Sequence, residues 1–251
     1  MAHYKIILAY DGTEFVGFQR QPEGRTVQAA IESALRLTGW SGKSITGAGR
    51  TDTGVHASGQ VAGFEYEWSH SDDELRDALN ANLPHDVAVR SVEQVSSMFH
   101  ARKSATARIY QYTVFFDRNR NPLRERYAWR VWPPLAMDLV ENAAAGFIGR
   151  HDFSAFGTPP KPGASTVREI HSAVWKVEKD NFIFEIIGNS FLYHMVRRLV
   201  SFQVEIGHKR RNSDEVGNLL SRKNEVMVQG LAPAEGLVLK EVRYSVEYMN
   251  L

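Results

Sequence analysis

The sequence predicts an α+β fold built from two passes of one supersecondary pattern. Two observations support this: short apolar runs that end at turn residues, and longer segments whose apolar residues recur at helical spacing. In residues 1–103 they follow the order β-α-β-β-α-β, the ferredoxin-like (split βαβ) arrangement. Residues 104–251 follow the order β-α-β-β-α-α-β. We therefore predict two α+β domains, divided after residue 103, that either join edge to edge or face each other across a cleft.

In the first domain, local signals mark where several elements begin and end. The first strand ends at the turn pair Asp11-Gly12. Thr26 is placed to cap the first helix, and Ser71 with Glu74 forms a capping box for the second. The predicted elements are strand 4–10, helix 26–37, strands 43–46 and 59–68, helix 71–83 and strand 86–95.

In the second domain, a long alternating strand is followed by a helix, a hairpin that turns at residues 179–181, and two further helices. The apolar stripe of the helix after the hairpin leaves Arg197 and Arg198 on opposite flanks. The predicted elements are strand 106–116, helix 135–149, hairpin 169–190, helices 191–206 and 213–223, and strand 236–248.

The composition is that of a globular protein, with 43% hydrophobic and 24% charged residues. No cysteine is present, which excludes disulfides and thiolate sites. The N-terminus lacks the apolar core of a signal peptide, and no apolar run approaches the roughly 20 residues that cross a bilayer. We expect a cytoplasmic protein without a membrane segment.

The placement of basic residues is more informative than the net charge of +1. Residues 102–130 hold eight basic side chains interleaved with aromatic ones, and residues 208–211 form a second basic cluster. Such a mixture suits a polyanion with stackable bases. It also suits a solvated arginine-rich loop, and this feature alone favours neither interpretation.

The stretch GAGRTDTGVHASGQ (47–60) places one carboxylate, Asp52, among four glycines. It is not a dinucleotide fingerprint, because Asp52 stands where the third glycine belongs and a strand follows instead of a helix. It is not a P-loop either, since no Gly-Lys-Ser/Thr follows. Asp52 is then either a functional carboxylate next to Arg50 or an aspartate that caps its own turn.

Other catalytic patterns find little support. His-x-x-x-His, His-Glu-x-x-His and Gly-x-Ser-x-Gly do not occur. A metal site would require separate residues such as Asp11, Asp52 and Asp152 to meet in space, and the sequence leaves that alternative open.

The loop GAGRTDTGVHASGQV resembles the signature loop of the tRNA pseudouridine synthase A family. Four further segments resemble the family in the same order: 10–32, 99–112, 189–200 and 232–244. Together they span nearly the whole chain. Thr53 departs from the pattern, since family members often carry alanine there, and we expect little effect of this small side chain.

The resemblance implies an isomerase that converts uridine to pseudouridine at tRNA positions 38, 39 and 40 in the anticodon stem-loop. It implies no cofactor, no metal and a homodimer that binds tRNA. The implied fold is two ferredoxin-like halves that form one long curved antiparallel sheet, with helices on one face and a central cleft.

Carried onto this chain, the resemblance makes Asp52 the catalytic aspartate. It either attacks C1′ as a nucleophile or removes the 2′ proton. A carboxylate shielded from water tends toward protonation, so it needs a positive partner, and the matching residue is Arg197. Tyr110 matches the tyrosine that stacks on uracil, and its hydroxyl is suited to removing the C5 proton.

Further residues match positions near the substrate. Arg50 is expected to occupy the space of the flipped nucleotide or to steer its phosphate. Leu237 and Leu239 are expected to sandwich the uracil against Tyr110, although strand leucines are usually core residues. Charge and motif position suggest further contacts with tRNA by Gln19, Arg20, Arg25, Arg102 and Arg108.

Two other functions share the basic surface. A metal-dependent RNA nuclease or hydrolase would be inhibited by chelators, which the family reaction would not be. A non-catalytic RNA-binding protein with ferredoxin-like halves would resemble an RRM, but no RNP1-like run occurs and a pure binder has no need of Asp52.

Overall fold

The structure is a computed structural model that describes residues 1–221 and 227–248. The described residues contain ten strands and six α-helices. The strands are β1 (Ala2–Tyr10), β2 (Thr46–Gly47), β3 (His56–Tyr66), β4 (Val87–Val95), β5 (Ala105–Phe116), β6 (Trp129–Val131), β7 (Gly149–Asp152), β8 (Val167–Glu178), β9 (Asn181–Gly188) and β10 (Leu237–Tyr244). The helices are α1 (Val27–Leu37), α2 (Asp72–Asn82), α3 (Pro122–Glu125), α4 (Met137–Ala145), α5 (Met195–Gly207) and α6 (Glu215–Ser221).

The strands confirm the α+β fold class and belong to one open sheet. In the first pass β1 lies between β4 and β3, and β2 pairs with β3, which is the strand order of a split βαβ unit. In the second pass β5 lies between β10 and β9, and β8 follows β9. The doubled pattern read from the sequence is therefore present in the strand order.

The chain packs as two compact units whose division does not follow chain order. Residues 1–108 form the first unit together with the strand that continues from Val238, and Ile109–Leu237 forms the second. The closing strand, placed in the second domain by the sequence analysis, thus packs in the first unit. It pairs with β3 in parallel, with Leu239 opposite Ala57, so the sheet is mixed and not wholly antiparallel.

The first unit is held by alternating strand residues and by helices with satisfied ends. Ile6 and Leu8 on β1 have no exposed surface, and burial of each contributes about 1.5–3 kcal/mol. The predicted capping box is present: the Ser71 hydroxyl accepts a hydrogen bond from the Glu74 amide, and the Glu74 carboxylate accepts one from the Ser71 amide. Thr26 caps α1 by accepting a hydrogen bond from the amide of Ala29.

In the second unit, the order of neighbouring strands is β5-β9-β8-β7, with β6 beside β5. The predicted hairpin is confirmed, since β8 and β9 join through Lys179 and Asp180, and Lys179 adopts a φ of 59°. The α5 helix presents an apolar side on which Met195 and Leu199 are fully buried. No helix in the described part of the chain has the length and apolar character to span a bilayer.

Two predicted elements are shorter in the structure, and in both cases residues at one end of the element bind a group elsewhere in the chain. The strand predicted over 43–46 is reduced to β2 because the Glu32 carboxylate accepts hydrogen bonds from the Ser44 hydroxyl and the Ile45 amide. The helix predicted from residue 191 begins at Met195. The backbone of Tyr193 pairs with Thr158 instead, and His194 is left-handed.

Other boundaries differ from the predictions by a few residues. The helix predicted over 213–223 is observed as α6, and residues 222–223 lie outside the described residues. The strand predicted over 236–248 ends at Tyr244. The short elements β6, β7 and α3 were not predicted, because each is too short to show a hydrophobic period.

Two loops of the first unit lie against each other with glycines at the contacts. A Cβ atom on Gly12 would stand 2.0 Å from the carbonyl oxygen of Val55. Gly17 has a φ of 110°, and a Cβ there would stand 2.8 Å from the carbonyl oxygen of Thr51. The loop at 12–18 can therefore approach the loop at 47–55 only because side chains are absent at these two points.

We predict that Gly12→Ala lowers the free energy of unfolding by about 2 kcal/mol or more, because the added methyl group overlaps a backbone carbonyl. Gly49→Ala is the matched control: its Cβ would meet nothing within 4 Å, and we expect little change in stability. Denaturant unfolding of both variants measures the difference. Equal stabilities would show that the two loops do not approach so closely.

Candidate active site

Asp52 opens a tight backbone turn in the first unit. The amide of Val55 donates a hydrogen bond to the Asp52 carbonyl at 3.1 Å, and Gly54 at the third position has a φ of 79°. A positive φ at this position is the type II turn geometry that favours glycine. The Asp52 residue is only half-buried and Arg50 is exposed, so both side chains reach the protein surface near this turn.

A buried polar network holds the residues just before Asp52. The hydroxyl groups of Tyr10 and Thr51 are hydrogen-bonded at 2.8 Å, and the Gln60 amide donates to Tyr10 and to the Gly49 carbonyl. Burial raises the pKa of Tyr10 to about 12, against hydrogen bonds from Thr51 and Gln60 that lower it. The phenol is therefore neutral at physiological pH and remains available to the network.

The residues just after Asp52 are held by His56 at the start of β3. His56 Nδ1 accepts a hydrogen bond from the Gly12 amide at 3.0 Å and lies 3.2 Å from the Asp11 carboxylate. Asp11 in turn accepts hydrogen bonds from the amide and hydroxyl of Thr13. The Asp52 turn is thus anchored on both sides to the end of β1 and its following loop.

Arg108 is buried and binds backbone carbonyl groups. Its guanidinium donates to the carbonyls of Ala48 at 3.0 Å, Arg102 at 2.8 Å and Ala105 at 3.3 Å. Only 8% of the Arg108 surface is exposed, and its bond to the Ala48 carbonyl stabilises the glycine loop from the protein interior. Charge and motif position suggested contact with tRNA for this residue, and the structure shows its guanidinium bound to backbone carbonyls of its own unit.

Two other arginines expected to contact tRNA are bound to carboxylates. Arg20 donates to Glu32, which has no exposed surface, at 2.8 Å. Arg25 forms a two-pronged hydrogen bond with Asp86, one arm at 2.7 Å, and this bond holds the pKa of the Asp86 carboxyl below its usual range. Both arginines remain exposed, as do Gln19, Arg50 and Arg102 of the predicted tRNA-contacting set, whereas Arg108 is buried.

The basic stretch 102–130 is also partly neutralised. Arg130 and Arg120 lie 3.2 Å and 3.6 Å from the Glu125 carboxylate. Arg124 lies 2.6 Å from Asp180 and stacks over the ring of Phe115. The structure therefore pairs these three arginines with carboxylates. Five basic residues of the stretch are nevertheless exposed: Arg102, Lys103, Arg118, Arg120 and Arg126.

In the second unit, Arg197 lies on the first turn of α5 and is partly exposed. Its Nε donates to the Ala232 carbonyl at 2.7 Å, and the Ala232 amide donates back to the Arg197 carbonyl. The nearby Tyr112 hydroxyl donates to the Pro233 carbonyl at 2.8 Å. Burial raises the pKa of Tyr112, and the positive charge of Arg197 opposes that shift.

Tyr110 and Tyr112 are both buried, as expected for residues on the same face of a strand. The Tyr110 ring meets Phe191 edge-on, with centroids 5.2 Å apart. Leu237 in this unit is 5% exposed, whereas Leu239, on the part of β10 that belongs to the first unit, has no exposed surface. Burial of Leu239 agrees with a core role better than with contact to a base.

Metal binding finds no support in the part of the chain that the structure describes. Among these residues, no group of three or more histidine, aspartate or glutamate side chains could hold a metal ion. Asp11, Asp52 and Asp152, which the sequence left as a candidate set, do not form such a group.

Sequence reasoning missed the residues that position the Asp52 turn. Tyr10 and Gln60 fall in runs that read as strands, and His56 lies in the glycine-rich stretch before one. Their polar atoms become important only when the loop folds over them. The glycines at 12 and 17 carried a usable signal, because two glycines in six residues after a strand indicate a close backbone approach.

Comparison with known proteins gives a consistent result over the whole chain. A family model described as tRNA pseudouridine synthase matches residues 6–102 and 143–245. A protein of Limosilactobacillus fermentum named tRNA pseudouridine synthase A is 40% identical over 249 residues, covering 97% of this chain and 96% of the relative. Proteins of the same name from Lacticaseibacillus casei and Streptococcus sanguinis are each 39% identical over 247 residues, covering 97% of this chain and 100% and 99% of the relatives.

The matched segments include the Asp52 turn and the whole of α5 with Arg197, whereas β5 with Tyr110 lies between them. They extend through both compact units and leave out mainly residues 103–142. On this agreement of sequence and strand order, the chain belongs to the tRNA pseudouridine synthase family.

Proposed function

We propose that this chain isomerises uridine to pseudouridine at positions 38, 39 and 40 in the anticodon stem-loop of tRNA. Its family makes it an isomerase that forms pseudouridine in tRNA. The observation that carries the residue assignment is the turn at Asp52, a half-buried carboxylate anchored on both sides by buried hydrogen bonds. An aspartate that only capped its own turn would not need such anchoring.

In the proposed reaction Asp52 acts on the ribose of the target uridine. The bond between C1′ and N1 breaks, the uracil turns, and C5 bonds to C1′. The C5 proton then leaves and N1 takes up a proton, so the product has the same atoms as the substrate. The carboxylate either attacks C1′ or removes the 2′ proton, and both routes return it unchanged. No oxidant, reductant or second substrate is required, because the product is an isomer of the substrate.

Arg197 and Tyr110 are the proposed contributions of the second unit. Arg197 supplies a positive charge to the reaction, and its bond to Ala232 fixes one edge of the guanidinium. Tyr110 packs on the uracil, and its hydroxyl removes the C5 proton. Its edge-on contact with Phe191 supports a ring of fixed orientation.

The remaining assignments divide into residues proposed to contact the tRNA or its base and residues proposed to support the site. We propose that Arg50 fills the space left by the flipped nucleotide, and that Gln19 and Arg102 contact the tRNA backbone, since all three are exposed. Arg20 and Arg25 contribute to the same electrostatic surface while bound to Glu32 and Asp86. Arg108 and Leu239 support the site from the interior, and Leu237 contacts the base.

We also propose that the protein works as a homodimer in the cytoplasm. The family resemblance supports the dimer, and a tRNA substrate supports the compartment. Neither assignment changes the roles proposed for the residues above.

Asp52→Asn is expected to lower the rate of pseudouridine formation by about 10²- to 10⁴-fold, since a neutral amide can act neither as a base nor as a nucleophile. The affinity for tRNA is expected to stay near that of the wild type. The measurement is mapping of pseudouridine in an unmodified tRNA transcript incubated in EDTA. Thr53→Ala, the adjacent substitution, is the control that retains activity. An active Asp52→Asn variant, or a wild type inhibited by EDTA, would remove this assignment.

Arg197→Lys is expected to lower kcat/KM by about ten- to a hundredfold, because lysine keeps the charge but loses the planar fork that binds Ala232 and its other partners. Arg198→Lys, on the opposite flank of α5, is the matched control and should stay near wild-type activity. Steady-state kinetics on the tRNA transcript compares the two, with thermal unfolding to verify folding. Equal losses in both variants would assign Arg197 a structural role only.

Tyr110→Phe is expected to bind tRNA normally but to turn over about 10²-fold more slowly, because the ring remains while the proton-accepting oxygen is lost. Release of tritium from a transcript labelled at C5 of uridine measures this step under single-turnover conditions. Tyr110→Leu should also weaken binding. If the phenylalanine variant released tritium at the wild-type rate, the hydroxyl would have no part in the reaction.

A further inference from the structure

We propose that the exposed face of the Tyr193 ring is a stacking site for one unpaired base of the RNA substrate, separate from the reacting uridine. This inference rests on the proposed function, because the base is supplied by the bound tRNA. It is carried by four features of the second unit: the exposure of Tyr193, its rigid mounting, its position before Arg197, and the absence of carboxylates in the segments that hold it.

Tyr193 is the most exposed aromatic side chain among the described residues, with 57% of its surface accessible. One of its faces is covered by His194, with the ring centroids 3.7 Å apart and the planes 27° from parallel. The ring therefore has one backed face and one face toward solvent. A base that stacked on the outer face would extend a stack that already exists in the protein.

The backbone beneath this pair is fixed on both sides. The Tyr193 amide donates to the Thr158 carbonyl at 3.0 Å, and the Thr158 amide donates to the Tyr193 carbonyl at 3.3 Å. Leu192 is buried just before the pair. A ring mounted in this way loses little conformational freedom when a ligand stacks on it, which favours binding.

His194 adopts a left-handed backbone conformation, with φ 64° and ψ 2°. Such a conformation is uncommon for residues other than glycine, and it is unfavourable unless the surroundings maintain it. Here it turns the chain from the Thr158 bridge into α5 and brings the imidazole against Tyr193. The strained His194 thus brings the two rings together. Strained residues are found preferentially at functional sites, so a role for this pair is expected.

The segments on either side of the bridge carry only positive charge. Residues 153–168 include Lys161 and Arg168, residues 190–204 include Arg197 and Arg198, and neither segment contains an aspartate or glutamate. The other basic regions differ: Arg210 and Arg211 bind Glu205 and Glu215, as three arginines of residues 102–130 bind carboxylates. An exposed aromatic ring on segments whose charged residues are basic, although Asp152, Glu169 and Glu205 flank these segments, suits a nucleic acid better than an apolar peptide.

The position of the pair connects it to the proposed site. Tyr193 precedes Arg197 by four residues, and Arg197 lies on the first turn of the helix that His194 opens. Tyr193 and Arg197 thus belong to one short segment of the chain. A base stacked on Tyr193 would be bound by the same segment that carries a residue proposed for the reaction. We assign Tyr193 to substrate positioning and give it no chemical step.

The test compares Tyr193→Leu, which keeps apolar bulk without a π face, with Tyr193→Phe, which keeps the stacking face. We expect Tyr193→Leu to raise the Kd for an unmodified tRNA transcript about tenfold. Tyr193→Phe should stay within about twofold of the wild type, and kcat at saturating tRNA should change less than KM. Unchanged thermal unfolding of both variants verifies that the fold is retained.

A second arm identifies the base. Transcripts with a single abasic nucleotide, scanned through the anticodon loop and its flanks, are bound to wild type and to Tyr193→Leu. At the stacked position the abasic change should weaken binding to the wild type and add little in the variant. Wild-type affinity in Tyr193→Leu, or equal abasic effects in both proteins at every position, would overturn the proposal.

These outcomes are distinct from failure of the proposed function. Mapping of pseudouridine in the same transcript with the wild-type protein tests the reaction and its target positions. The stacking proposal is judged by Kd and by the coupling between Tyr193 and one nucleotide, and a wild type that modifies tRNA normally while showing no such coupling refutes the stacking site alone.

Discussion

The structure of the candidate site depends on the close approach of the loop after β1 to the loop that carries Asp52. Surface loops usually leave their backbone groups to water, and a side chain on such a loop has many positions available. Here Gly12 lies against the carbonyl of Val55. The hydroxyl of Tyr10 is hydrogen-bonded to Thr51, and His56 accepts a hydrogen bond from the Gly12 amide, which holds the residues on either side of the aspartate. The carboxylate is thus presented from a rigid base, as an electrostatic or covalent role requires.

The arginines of this chain differ in what they bind, and a count of basic residues does not show the difference. Arg108 is buried and binds three backbone carbonyls, and Arg25 binds Asp86 with both arms of its fork. Arg25 is nevertheless exposed, as are Arg50 and Arg102. Buried guanidinium groups must have their hydrogen bonds satisfied, so partners inside the protein determine which arginines are left for a substrate.

Much of the fold could be predicted because it depends on neighbouring residues. The capping box at Ser71, the cap at Thr26 and the hairpin at Lys179 all involve groups within a few positions of one another. The doubled β-α-β-β-α-β order follows from hydrophobic period and turn residues, which are also local. The assignment of Asp52 required more than these patterns, since an isolated turn aspartate most often serves its own backbone, and only the family resemblance selected it.

By itself, the sequence determined the longer elements, their order, the family and the candidate carboxylate. The tertiary structure decided where distant groups meet: β10 pairs with β3, the Glu32 carboxylate binds Ser44 and Ile45 ahead of β2, and the Thr158 bridge delays α5 until Met195. It also placed the guanidinium of Arg108, for which a tRNA contact was expected, on the backbone carbonyl of Ala48. The physical reason is common to these cases. Each backbone or guanidinium N–H group that leaves water must find an acceptor, and that acceptor is often far away in the chain, where no local pattern records it.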